Sequence, residues 1–363
     1  MSVEKKVYSF EAAWSAAEEN IKDKRSTKGM RLLLGNGFSR AYDSSFNQTT
    51  LFDAIKEFKE HQNLKKLFEH FGTSNFEGVL HILKEMQFVL GVYGMQDQGI
   101  KEDYEKIRDA LAQAIVDVHP PNTNFVPQKN KEACFGFLDK FDTVYTVNYD
   151  LLLYWTVVQE ESHKFGDYFN RTEDTPDEYC EYIEDGGRSG KHILFLHGGV
   201  HLFLKNGATT KKVWGSKAPL IDQIKKEIEN GYYPWVVAEG DSDSKMQQIK
   251  SNPYLFHAFT KLGSLKGQLF TFGFSFSKQD EHIVNAIVEN IGIRYVWMGI
   301  RGDVKRDENK KLLKLAEDMV EKRKLLMEKK KIKNPEELEI KFYNAGGMDI
   351  WGKKEILSTA IEL

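Results

Sequence analysis

Short apolar runs rich in β-branched and aromatic residues recur along this chain, and helical stretches separate several of them. The runs are Gly29–Leu34, Thr143–Val147, His192–Leu196, Trp235–Ala238, Leu269–Phe272, Tyr295–Met298 and Ile340–Tyr343. Such strands alternating with helices are the signature of parallel βαβ units, so the pattern predicts an α/β fold. From Leu51 to about Val118 the periodicity is helical instead. Ser74-Asn-Phe-Glu77 has capping-box spacing, and Val79, Ile82, Leu83 and Met86 then recur on one face. A helical insertion after the first strand is therefore expected at about 51–135, punctuated by Pro120-Pro121 and Pro127. Residues 1–28 read as an amphipathic helix (Phe10, Ala13, Trp14, Ala17) and a polar link. Residues 160–190 are polar and acidic, with Gly186-Gly187, and read as a surface excursion.

Composition narrows the function classes. Lysine plus arginine (51) nearly balances aspartate plus glutamate (54), so no basic field points to nucleic acid. The lysine-rich stretch Arg301–Lys333 carries Leu312, Leu315, Ala316, Met319 and Leu326 at helical spacing, and is read as a helix covering the sheet. No run of eighteen apolar residues exists to span a membrane, and Met1 to Phe10 lacks an apolar signal core. Two cysteines, Cys134 and Cys180, fit a reducing cytoplasm and cannot build a four-cysteine zinc site.

The chemistry gathers where the strands end. In open α/β sheets, ligands bind just outside the carboxyl ends of the strands. Thr143–Val147 runs into Asn148 and Asp150, which either cap the helix beginning near Leu151 or present an amide and a carboxylate to a ribose or a water. Gly35-Asn36-Gly37 ends the first strand and suits close backbone approach to a phosphate, with Ser39 as an added hydroxyl. Arg40 stands where the third glycine of the dinucleotide fingerprint would fall, so a plain tight turn fits as well. His197-Gly198-Gly199 places an imidazole at a strand end, suited to general-base work or to a core role. Gly273-Phe-Ser275-Phe-Ser277, with Asp280 nearby, supplies hydroxyls at another strand end, where serines also cap helices.

Two rival constellations fail on spacing. A hydrolase nucleophile elbow at Ser275 would need a glycine at Ser277 and a triad histidine well downstream, whereas only His282 follows. His197 and His201 have the i, i+4 spacing of a zinc helix, but Gly198-Gly199 breaks the helix and no glutamate lies between them.

Gly35-Asn-Gly-Phe-Ser39, Thr146-Val-Asn-Tyr-Asp150, Leu196-His-Gly198 and Gly273-Phe-Ser-Phe-Ser277 occur in the order of the sirtuin-type NAD-binding fold. Taken together they resemble its bacterial sirtuin-like branch, associated with NAD hydrolysis in anti-phage defence. Within that branch, Glu239-Gly-Asp-Ser-Asp-Ser-Lys245…Ile249…Asn252-Pro-Tyr-Leu255 is similar to a little-characterised bacterial family. The resemblance spans roughly residues 29–352.

What the resemblance implies is a Rossmann-like parallel sheet over 29–363 and an NAD glycohydrolase that works in defence by NAD depletion. Asn148 matches the amide that contacts the nicotinamide ribose or orients the attacking water, and His197 the catalytic histidine. Gly35, Asn36, Gly37 and Ser39 match the phosphate loop, with Asn36 in place of the usual alanine. Asp150, Gly273, Ser275 and Ser277 complete the expected NAD contacts. The paired cysteines of the protein-deacetylating sirtuins are absent, which favours hydrolysis over deacylation, and the sequence offers no recognisable effector domain, which favours an enzyme over a non-catalytic NAD or ADP-ribose sensor. The expectation is NAD as substrate, no metal, a cytoplasmic homo-oligomer, and a regulatory or ATPase partner protein.

Overall fold

The structure is a computed structural model describing residues 2–24, 26, 28–46, 62–71, 76–120, 122–158, 164–173, 179–187, 190–213, 218–237, 241–303, 305–332 and 337–353. The expected insertion start at 51–61, the capping residues Ser74 and Asn75, and Pro121, Ala238, Glu239 and Gly240 lie outside the described residues.

In chain order the strands are β1 (Ser2–Tyr8), β2 (Met30–Leu34), β3 (Thr143–Thr146), β4 (Phe165–Gly166), β5 (Phe169–Asn170), β6 (Tyr179–Tyr182) and β7 (Lys191–Phe195). They continue with β8 (Gly198–Lys205), β9 (Ala208–Lys212), β10 (Pro234–Val236), β11 (Gly267–Phe272), β12 (Ile293–Ile300) and β13 (Glu339–Asn344). Eight of them form one sheet in the order β1-β13-β12-β11-β2-β3-β7-β4, and every pairing is parallel. Helices flank this sheet, so the fold is the expected Rossmann-like α/β class. Parallel strands are buried on both faces and read as near-continuous apolar runs. That is why β2 and β11, buried almost throughout, were legible as strands.

The order reverses beside β2. From β2 the chain steps to β3 and β7 on one side, then returns to β11 on the other and continues to β12 and β13. The carboxyl ends of β11, β2, β3 and β7 are consequently neighbours around a topological switch point. The inserted helices Gln62–Phe71, Phe76–Val92, Gln98–Val118 and Gln128–Leu138 lie between β2 and β3. Helix Phe10–Lys22 is capped by the Ser9 hydroxyl. It is tied to the sheet by buried Gln268, whose amide donates to Ala17 O (2.6 Å) and accepts from Asn20 and Trp297. Among the described residues, no helix is long and apolar enough to cross a membrane.

Three expectations are corrected. Residues 2–8, read as helix, form the edge strand β1, parallel to β13; only residues 10–22 are the expected helix. The run beginning at Trp235 belongs to a second sheet, which is antiparallel, in the order β10-β8-β9-β6-β5. The stretch 160–190 is more than a surface excursion. It supplies edge strand β4 to the main sheet and β5 and β6 to the second, with Phe169 and Tyr179 buried.

Candidate functional site at the switch point

The glycines of the first motif join two strand ends. Gly35 N–H donates to Phe272 O (3.0 Å), and Gly37 N–H donates to Gly273 O (2.9 Å). A Cβ on Gly35 would stand 2.5 Å from Phe274 Cα, and one on Gly37 2.5 Å from Gly273 Cα. Gly273 itself has a φ of +65°, open to glycine at little cost. These glycines thus allow the loops after β2 and β11 to touch. Their two N–H groups, expected to face a phosphate, are engaged within the protein. What this junction leaves for a ligand is Asn36, whose Oδ1 is buried without a hydrogen-bond partner, and the exposed Ser275. Between the two serines Phe276 sits at φ +53°, a conformation costing a bulky residue on the order of 1–3 kcal/mol.

The amide of Asn148 holds the junction from the β3 side. Its Nδ2 donates to Gly35 O (3.0 Å) and to Ser39 Oγ (3.1 Å), and its backbone N–H donates to Thr146 Oγ1. Both amide protons are therefore occupied, and Oδ1 is the atom left to accept from a ligand. Ser39 Oγ in turn donates to Asp150 Oδ2 (2.5 Å), while Asp150 Oδ1 accepts from Leu152 N–H at the start of helix Leu152–Val158. Asp150 thus caps a helix and anchors Ser39 at once. Burial pushes its carboxyl above the ordinary range, against the Ser39 hydroxyl and His119, which favour the charged form.

β3 and β7 are paired through Thr146 and Phe195, so Asn148 and His197 leave adjacent strands at the same level. His197 is 4% exposed, and its Nε2 lies 3.0 Å from Nε2 of His282, the second residue of helix Glu281–Glu289. Lys245 and Asp280 form a buried ion pair (2.9 Å) beside them, and Ser277 Oγ donates to Asp280 Oδ2 (3.1 Å). Burial, reinforced by the Lys245 ammonium, pushes the His197 pKa down to about 3. Burial likewise lowers His282 to about 4. Both imidazoles are neutral at pH 7. Ser277, expected among the NAD contacts, is bonded to Asp280.

The glycine pair after His197 is closely packed and leaves no empty space. A Cβ on Gly198, at φ +74°, would meet Trp235 O at 2.0 Å, and one on Gly199 would meet the His201 ring at 2.8 Å. The pair is needed for close approach of β10 and His201. His201 lies within β8, fully buried and stacked on Tyr154 (4.6 Å). His192 begins the pairing of β7 with β3 and stacks on Tyr168, at the sheet's opposite end. A cavity of about 380 Å³ lies elsewhere, between helix Leu152–Val158, β4, β7 and β9. Its Lys211 and Asp167 pair with each other.

His282, Lys245 and Ser242 are the members of the site that sequence reasoning did not assign. His282 was weighed only as a hydrolase triad partner, and Lys245 only as part of a longer motif. Their meeting with His197 depends on packing between helices Ser242–Ser251 and Glu281–Glu289, which spacing along the chain does not encode.

No curated protein matches the sequence. Residues 32–351, which contain every strand end described above, match a family described as a domain of unknown function, DUF4917, and the chain belongs to that family.

Proposed function

We propose that this chain is an NAD glycohydrolase, cleaving NAD with water to nicotinamide, ADP-ribose and a proton, and that NAD depletion is its role in anti-phage defence. The observation that supports this most is the joining of four strand-end motifs at the switch point, with Asn148 and His197 each two residues beyond the paired Thr146 and Phe195. Nicotinamide leaves as a neutral group, so the protein need supply little acid. It has instead to fix the ribose, stabilise the developing cation and place a water. In this reading Asn36 Oδ1 accepts from a ribose hydroxyl, Ser275 contacts the ribose or phosphate, and Asn148 Oδ1 aligns the water. Neutral His197 takes the proton that this water or a ribose hydroxyl gives up. Asp150 and Ser39 hold the Asn148 amide in place. The chemistry assigned to these residues requires no metal.

The test is to incubate the purified chain with NAD and separate the products by chromatography. Equimolar nicotinamide and ADP-ribose without a further substrate is the expected result. Nicotinamide released only when an acylated peptide is present would replace hydrolysis with deacylation, and NAD bound but intact would indicate a sensor.

A further inference from the structure

His282 is buried (5% exposed) although it opens a helix, where a polar side chain would ordinarily face water. Its two ring nitrogens face different partners. Nε2 lies 3.0 Å from His197 Nε2, and Nδ1 lies 3.3 Å from the Ser242 hydroxyl. Phe259 packs near the ring (6.1 Å), and Ser242, half-buried at the start of its helix, is the outermost member of the row. Two neutral imidazoles this close must share a proton, one donating and the other accepting. The row Ser242–His282–His197 therefore has two arrangements. In one, Ser242 donates to Nδ1 and His282 Nε2–H donates to His197. In the other, His197 Nε2–H donates to His282 Nε2, and His282 Nδ1–H donates to Ser242.

We infer that His282 and Ser242 are the route by which His197 exchanges its proton with solvent, making His282 a positioning and relay residue for the buried imidazole. The assignment of a turnover role rests on the NAD-hydrolase reading; the route itself rests on the geometry. Each hydrolysis leaves one proton behind. When it arrives at His197 Nδ1, the Nε2 proton of His197 moves to His282 Nε2, and the Nδ1 proton of His282 leaves through Ser242 to water. Bonds made and broken balance, no charge stays buried, and the row is left in its first arrangement; the reverse transfer restores the second once the His197 Nδ1 proton has passed to water in the vacated site. Among the described residues, the charged side chains that bear on the two rings are Lys245 and Asp280, which pair with each other at 2.9 Å. They do not trap the proton on either ring.

Two measurements on the full chain test this separately. With 15N-histidine labelling, nuclear magnetic resonance reads the exchange of the His197 ring proton with water. The relay predicts that H282Q, whose amide can bond but not pass a proton, slows this exchange by about tenfold or more. Unchanged exchange in H282Q overturns the relay, whether or not the protein turns over NAD. In turnover, H282Q is expected to lower kcat by about tenfold to a hundredfold with KM within about twofold. Part of the lost rate should return to H282A in concentrated imidazole buffer, and S242A should lose less, because water replaces a hydroxyl. A purely structural His282 would lower the melting temperature without imidazole rescue, and that result counts against the relay. Slowed exchange in H282Q with a wild-type protein inert toward NAD would keep the route and reject the hydrolase reading.

Discussion

At the scale of single residues, the site is a set of small polar groups whose hydrogen bonds are largely taken up by one another. Asn148 illustrates the consequence. In the fold its two protons bind Gly35 O and Ser39 Oγ. Asn148→Ala is thus expected to lower stability by about 1–3 kcal/mol through the partners it leaves unpaired. It should also lower NAD turnover by about a hundredfold or more. Calorimetry and turnover on the same preparation check both; wild-type rates from the variant would remove Asn148 from the mechanism. Asp150 makes a second prediction, with a definite sign. Because burial raises its folded-state pKa, its contribution to stability is present below the unfolded value and is lost as pH rises through the folded one. Asp150→Asn keeps an acceptor for Leu152 N–H and removes the buried charge. Its melting temperature should exceed that of the wild type at pH 7 to 8, with the gap closing toward acid pH. A deficit at neutral pH, growing with pH, would contradict the sign.

At the scale of elements, helix Glu281–Glu289 carries His282 and is held at its far end by Arg323, from helix Asp307–Lys329. Arg323 is fully buried and donates to four carbonyls, of Ile287, Val288, Asn290 and Ile293. It satisfies the last carbonyls of a helix whose dipole favours a cation there. Burial lowers its pKa to about 10, and it remains charged. Arg323→Lys keeps the charge but cannot reproduce the planar fork. It should cost on the order of 2 kcal/mol by chemical denaturation, and a change within about 0.5 kcal/mol would show that the fork is dispensable. The elements that were legible from sequence and those that were not differ physically. Strands β2, β11 and β12 lie within the sheet and announce themselves as apolar runs. Edge strand β1 alternates Val3, Lys5 and Val7 with charged neighbours, and this shorter period was lost beside the strong helix that follows. The β8–β9 hairpin carried a signal that went unread. Asn206-Gly207, both at positive φ (52° and 82°), is a tight-turn pair between two antiparallel strands. The strand-end motifs were visible because residue type and position along a strand suffice to find them. The engagement of the Gly35 and Gly37 N–H groups, and the His197–His282 pairing, arise from contacts between segments far apart in sequence.

At the scale of the whole molecule, three buried histidines tie the fold to pH. His197, His282 and His201 are all held by burial below their ordinary value of 6.5, the first to about 3 and the second to about 4. Their contribution is present above 6.5 and is lost as pH falls through the folded values, since unfolding lets each take up a proton. Each should steepen the acid limb by about 1.4 kcal/mol per pH unit below 6. Denaturation curves between pH 7 and 4.5 are expected to show net proton uptake on unfolding, and less of it in H282Q. A pH-independent stability over that range would mean these rings titrate normally. The same burial bears on activity, because the site must admit NAD past groups that are 4% to 8% exposed. The most direct test of the central claim is a proton magnetic resonance time course of NAD with wild type and with His197→Ala. It reads the anomeric proton of the nicotinamide ribose and, by line broadening, whether NAD is bound. Steady loss of that signal is expected with wild type, and binding without loss with the folded variant. Equal cleavage by both proteins, or no cleavage by either, would contradict it.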